Sequence, residues 1–91
     1  MGTALITIKL MPTSPEVDLE KIKESAQKVV EENKGTKVRF EEEPIAFGLK
    51  AVNVFFEQDE DVGELDPIEE ALGKIENVNS VKITDMRRAF G

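Results

Sequence analysis

Apolar residues recur along this chain with two periods, and the switches between them predict six elements. Residues 4–10 (Ala-Leu-Ile-Thr-Ile-Lys-Leu) are short, β-branched and apolar on both faces near their start, which predicts a central strand. Pro12 and Pro15 mark a loop. Leu19, Ile22, Ala26, Val29 and Val30 fall on one helical stripe, predicting a helix from about Asp18 to Asn33, with Gly35 as its stop. Residues 36–44 alternate, Val38 and Phe40 to one side and Lys37, Arg39 and Glu41 to the other, as a second strand does. Residues 48–58, rich in Val and Phe, are a third. An acidic loop around Gly63 leads to a second helix, with Asp66 as N-cap, Pro67 at the first helical position and Glu69 completing a capping box. Ile68, Ala71, Leu72 and Ile75 give its apolar stripe, and residues 78–88 are the last strand.

The order is β-α-β-β-α-β. Two one-sided helices and four strands bury their apolar faces best with both helices on one side of a single sheet. Right-handed crossovers then give an α+β, ferredoxin-like two-layer sandwich with an antiparallel sheet in the order 4-1-3-2. No linker or repeat interrupts residues 1–91, so one domain is expected. In that order strands 1 and 2 run one way and strands 3 and 4 the other. The tip after strand 2 and the end of strand 4 must therefore lie at opposite ends of the sheet.

Charge and composition narrow the function. The 91 residues carry 12 basic and 19 acidic side chains, a net charge of −7. That disfavours a protein that wraps phosphates and suits a cationic partner surface. There is no Cys and no His, which removes thiolate metal sites, the commonest metal ligand and the commonest general base. Ser14, Ser25 and Ser80 thus have no histidine to activate them. The acidic groups Asp59, Glu60, Asp61, Glu64 and Glu41–Glu43 lack Ca²⁺-loop spacing and read as solvated charge. No Gly-rich phosphate loop is present. Neither a catalytic residue, a metal nor a cofactor is expected. No apolar run approaches the ~20 residues of a membrane span, so the expected setting is the cytoplasm. The same element order occurs in single-strand RNA readers, which stack bases on strands 1 and 3. Here strand 1 has no aromatic, and Phe55 and Phe56, being adjacent, point to opposite faces. No nucleic-acid partner is expected.

Two stretches remain unexplained by folding alone. The tip Pro44-Ile45-Ala46-Phe47-Gly48 places a phenylalanine where a simple chain reversal favours Asn, Asp or Gly. Phe47 either folds back over the sheet edge as core or projects as an apolar knob toward a partner. The tail Thr84-Asp85-Met86-Arg87-Arg88 puts two cations at the end of a strand of an acidic protein, either as ordinary surface charge or as a basic finger.

At these stretches the chain resembles archaeal translation elongation factor 1-beta. The resemblance is carried by "EPIAFGLKAVNV", "ITIKLMPTSPEVDLEKIK" and "VKITDMRR" and covers essentially the whole chain. It implies a guanine-nucleotide exchange factor that binds elongation factor 1-alpha in its GDP-bound and nucleotide-free forms, with no chemical step of its own. By the same resemblance, Ile45, Phe47 and Gly48 at the tip and Met86, Arg87 and Arg88 at the tail contact that GTPase. Arg88 stands where the eukaryotic relative has a lysine that reaches toward the GTPase's Mg²⁺ and phosphates, and Ala89, Phe90 and Gly91 follow it. Two roles are open to it: displacing the Mg²⁺, or gripping a carboxylate nearby. The alternative from the residues alone is a non-catalytic interaction or regulatory module on the same fold.

Overall fold

The computed structural model describes residues 2–59 and 66–89. The elements are β1 (Thr3–Pro12), α1 (Leu19–Glu32), β2 (Thr36–Pro44), a 3₁₀ turn (Ala46–Gly48), β3 (Lys50–Asp59), α2 (Asp66–Gly73) and β4 (Val78–Ala89). Every neighbouring strand pair is antiparallel, in the order β2-β3-β1-β4. This is the expected 4-1-3-2 order read from the other edge.

Alternation along β1 decides which face is covered. Ile6, Ile8 and Leu10 are buried, whereas Leu5, Thr7 and Lys9 on the other face are not. From the neighbouring β3, Val52, Val54 and Phe56 join the buried face. Ile22, Ala26 and Val30 of α1 and Ile68 and Leu72 of α2 close one core against it. Phe56 is therefore core, and Phe55 lies on the open face. Val38 and Phe40 of β2 pack at the core's margin, on the side expected from their alternation.

The end of α1 differs in detail from the sequence reading. Asp18 caps its start, its carboxylate accepting from the Glu20 amide at 3.0 Å. At the other end the amide of Lys34 donates to the Glu31 carbonyl and that of Gly35 to the Val30 carbonyl, at 3.1 and 2.8 Å. These are the paired bonds of a Schellman stop. The left-handed residue is Lys34 (φ 71°), not the glycine. Gly35 is required by space instead: a Cβ there would sit 2.2 Å from Val30 Cγ1 and 3.0 Å from the Val30 carbonyl oxygen. Buried Gln58 of β3 donates to the Asn33 carbonyl at 2.9 Å, so the helix end is tied to the sheet.

α2 begins at Asp66 itself, with Asp66 and Glu69 both in its first turn, where carboxylates favour the positive end of the helix dipole. Ile75 lies beyond the helix end but packs on the core. β3 starts two residues later than its apolar run suggests, because Gly48 belongs to the tip. Glu60, Asp61 and Glu64 of the acidic loop fall outside the described residues.

Gly35→Ala should destabilise the fold by about 1–3 kcal/mol, since the added methyl has to push the Val30 backbone or side chain aside. Urea unfolding checks this; an unchanged midpoint would remove the steric account of Gly35.

Candidate functional site

The tip is built by two hydrogen bonds and two left-handed residues. The Ile45 amide donates to the Leu49 carbonyl at 2.7 Å, and the Leu49 amide to the Ala46 carbonyl at 3.3 Å. The chain turns between them through Phe47 (φ 64°) and Gly48 (φ 77°). Phe47 is 93% exposed, which overturns the reading of it as folded-back core. Glycine adopts the left-handed region freely, whereas a bulky aromatic there is an outlier. Both the backbone and the solvation of Phe47 thus oppose it, and the turn still holds it outward. Ile45 is half-buried and anchors the base.

That base is braced electrostatically. Glu42 of β2 accepts from Lys23 of α1 at 2.8 Å and lies 4.0 Å from Lys50, which pairs with Pro44 across the hairpin. The hydrogen bond from Lys23 holds the Glu42 carboxyl below the usual carboxylate range, and the hydrogen bond to Glu42 raises the Lys23 ammonium. A depressed carboxylate contributes stability above its unfolded pKa and loses it as pH falls through its folded one. The raised lysine contributes below its unfolded value and loses that at the alkaline end.

The tail lies at the other end. Ala4 of β1 pairs with Gln58 of β3 and Arg88 of β4, whereas Lys50 pairs with Pro44 at the tip. The eight residue steps along β3 from Lys50 to Gln58 span roughly 26 Å. Ile45, Phe47 and Gly48 are thus brought together, as are Met86, Arg87 and Arg88, but the two groups are kept apart.

Within the tail, neighbours diverge. Arg87 pairs with Leu5 and faces the open side, where it forms an ion pair with Asp85 at 2.9 Å. Met86 pairs with buried Ile6 and Arg88 with Ala4, so both project to the helix side, beyond the cover of the helices. Met86 is 57% exposed and Arg88 is exposed.

This partition depends on a feature with no signature in the sequence. Ile8 pairs with Ile83 but Thr7 with Asp85, so Thr84 is an extra residue, a β-bulge. Val81 and Ile83 point to the core before it; after it the even-numbered residues do.

Among the described residues no group of three acidic, His or Cys side chains is arranged to hold a metal ion. Nor is any described helix long and apolar enough to cross a membrane. What the site offers is contact chemistry: an apolar knob at one end, a methionine and an arginine at the other. The two groups stand at opposite ends of a split β-α-β sheet.

The chain belongs to the EF-1 guanine nucleotide exchange domain family, whose model matches residues 5–89. It is 45% identical over 89 residues to elongation factor 1-beta of Methanothermobacter thermautotrophicus, covering 97% of this chain and 98% of the relative. It is 44% identical over 86 residues to elongation factor 1-beta of Methanococcus maripaludis, covering 94% and 97%. The protein of the same name from Methanobrevibacter smithii is 44% identical over 88 residues, covering 97% and 98%.

Three substitutions test this geometry. Phe47→Asn should leave stability unchanged or raise it by up to about 1 kcal/mol, because Asn tolerates the left-handed region. Gly48→Ala should lower it by about 1 kcal/mol for the converse reason. Glu42→Gln should lower the unfolding midpoint at pH 7, and the difference from the parent should shrink as pH falls through the depressed folded-state pKa of the carboxylate. Thermal unfolding across pH reads all three.

Proposed function

We propose that this protein promotes exchange of GDP for GTP on elongation factor 1-alpha during translation elongation, with residues 1–91 acting as one exchange domain. Family membership supplies the activity and the partner. The structural observation that carries the site assignment is Phe47, held outward at the tip against both its backbone preference and its solvation.

The work to be done is thermodynamic. A GTPase holds GDP through its phosphates and a shared Mg²⁺. An exchanger lowers that affinity by binding the nucleotide-free state more tightly than the GDP-bound state, and by linkage GDP weakens the exchanger's binding by the same factor. Such coupling is typically about 1–3 kcal/mol. It requires no general base, cofactor or bond made by this chain. Phe47, with Ile45 and Gly48 setting its position, inserts into one part of the GTPase. Met86 and Arg88, from the helix side of β4, approach the nucleotide site, while Arg87 contacts the GTPase from the open side.

Arg88 is a planar, permanently charged group on an exposed strand end, suited to competing with Mg²⁺ for anionic ligands or to gripping a carboxylate beside it. The setting is the cytoplasm, with no direct nucleic-acid or membrane partner.

Release of fluorescent GDP from elongation factor 1-alpha, followed by stopped flow, tests this. The rate should climb with concentration of this protein and saturate. Phe47→Ala and Arg88→Ala should each lower it about tenfold or more, with the fold intact by unfolding. A flat rate with binding still measurable would make the protein a non-catalytic interaction module for the same GTPase.

A further inference from the structure

Three large apolar side chains are left exposed among the described residues: Phe47, Met86 and Leu5. The first two belong to the tip and tail already assigned. Leu5, 39% exposed, does not. It lies on the floor of a groove of about 600 Å³ that crosses the open face of the sheet, with Thr7 and Phe55 beside it.

The walls of this groove are charged and come from the two edge strands. On the β2 side stand Lys37 and Arg39; on the β4 side stand Asp85 and Arg87. The β4 wall is made by a departure from regular pairing, whereas Lys37 and Arg39 take the side that plain alternation gives them. The bulge at Thr84 turns Asp85 and Arg87 to the open face, where unbroken alternation from Ile83 would have sent them to the helices. On β2 the register shifts between Thr36 and Arg39, with Lys37 left-handed (φ 54°). Bulges at sheet edges commonly re-aim side chains as the one at Thr84 does.

The cations of the groove are not equivalent. Lys37 is paired with Glu57 at 3.7 Å and Arg87 with Asp85. Arg39 forms no ion pair among the described residues. Its guanidinium lies over the Phe55 ring, 5.8 Å from the centroid. A guanidinium on an aromatic platform is oriented in advance and keeps its hydrogen-bond donors for a planar anion.

We infer that this groove is a third docking point, which takes an acidic segment of the GTPase partner, an Asp or Glu carboxylate meeting Arg39 above Phe55 while an apolar neighbour covers Leu5. The inference rests on the exchange reading for its partner. Charge sets the occupant: Glu57 and Asp85 balance Lys37 and Arg87, so the groove keeps one positive charge, that of Arg39, and in a chain of net charge −7 that is a local site for a carboxylate. Position agrees with it, since the groove lies at the tail end of the open face, with Arg87 on its wall and Arg88 next in sequence. The groove serves affinity, whereas the tip and tail serve release. Its loss should therefore appear in the half-saturating concentration and not in the maximal rate.

The test is a titration of elongation factor 1-alpha·GDP with parent, Arg39→Glu, Phe55→Ser and, as a charge control on the exposed face of α1, Lys28→Glu. Unfolding midpoints verify that each variant folds, and Arg39→Lys covers the case in which Arg39→Glu does not. Expected are a rise of about tenfold in half-saturation for Arg39→Glu with an unchanged maximal rate, a smaller rise for Arg39→Lys and Phe55→Ser, and less than twofold for Lys28→Glu. Parent-like half-saturation for Arg39→Glu and Phe55→Ser would overturn the groove and leave the exchange reading standing. A parent that neither binds nor accelerates release would overturn both. Sedimentation showing a dimer that Arg39→Glu dissociates would assign the groove to a second copy. Salt-sensitive binding of a single-stranded RNA lost in the same variant would assign it to nucleic acid. Either result overturns the inference.

Discussion

The antiparallel pairing of β1 with both β3 and β4 is the constraint on which the rest of this molecule depends. Ile6, Ile8 and Leu10 are buried on one face of that strand and nowhere else to be placed. A slip of one residue would turn all three to water, so the register is strongly specified. Register then fixes position. Because β1 runs against β3 and β4, the entrance to β3 and the exit of β4 cannot meet, and Phe47 and Arg88 are held at opposite ends of one rigid sheet. The separation follows from which residues are apolar at every second position of the first strand.

Most of the fold was legible for the same reason. Periods of two and of 3.6 are imposed by burial on one face, so the elements, their order and the core faces can be read from spacing alone. The sites of failure share a cause too. Gly35 stops α1 as its place after the apolar stripe suggests, but the left-handed conformation belongs to Lys34, and what Gly35 supplies is the lack of a side chain. No composition rule distinguishes the two. The bulge at Thr84 was invisible because it changes pairing without changing residue types. Consequently alternation alone sends Arg87 and Arg88 to opposite faces, but which of them takes the helix side could not be read. The groove has no signature in the sequence, because Leu5, Arg39, Phe55 and Arg87 belong to four different strands and adjacency across a sheet is a property of register.

Local rules are broken mainly where contact with a partner is assigned. An aromatic in the left-handed region at a hairpin tip disagrees with turn chemistry and with burial alike, whereas the turn around it is well made, with two backbone bonds and the Lys23–Glu42–Lys50 brace behind it. Well-supported surroundings that hold an unfavourable residue in place are the usual mark of a functional site. The left-handed Asn77 has no such significance, since Asn tolerates that region and its carbonyl is engaged by the Thr13 amide at 2.9 Å.

Rigidity between distant contacts is what gives a small binding module leverage over a larger partner. Two contacts joined by a flexible linker would adapt to either conformation of a GTPase and discriminate poorly between them. Contacts fixed at opposite ends of a hydrogen-bonded sheet fit only a partner whose two receiving surfaces stand at the matching separation. On the exchange reading, the preference for the nucleotide-free state then need not reside in any single contact. It arises from the cost of engaging both ends when GDP holds the partner in another shape. On that reading the sheet is the measuring element, with the knob and the cation as its two ends.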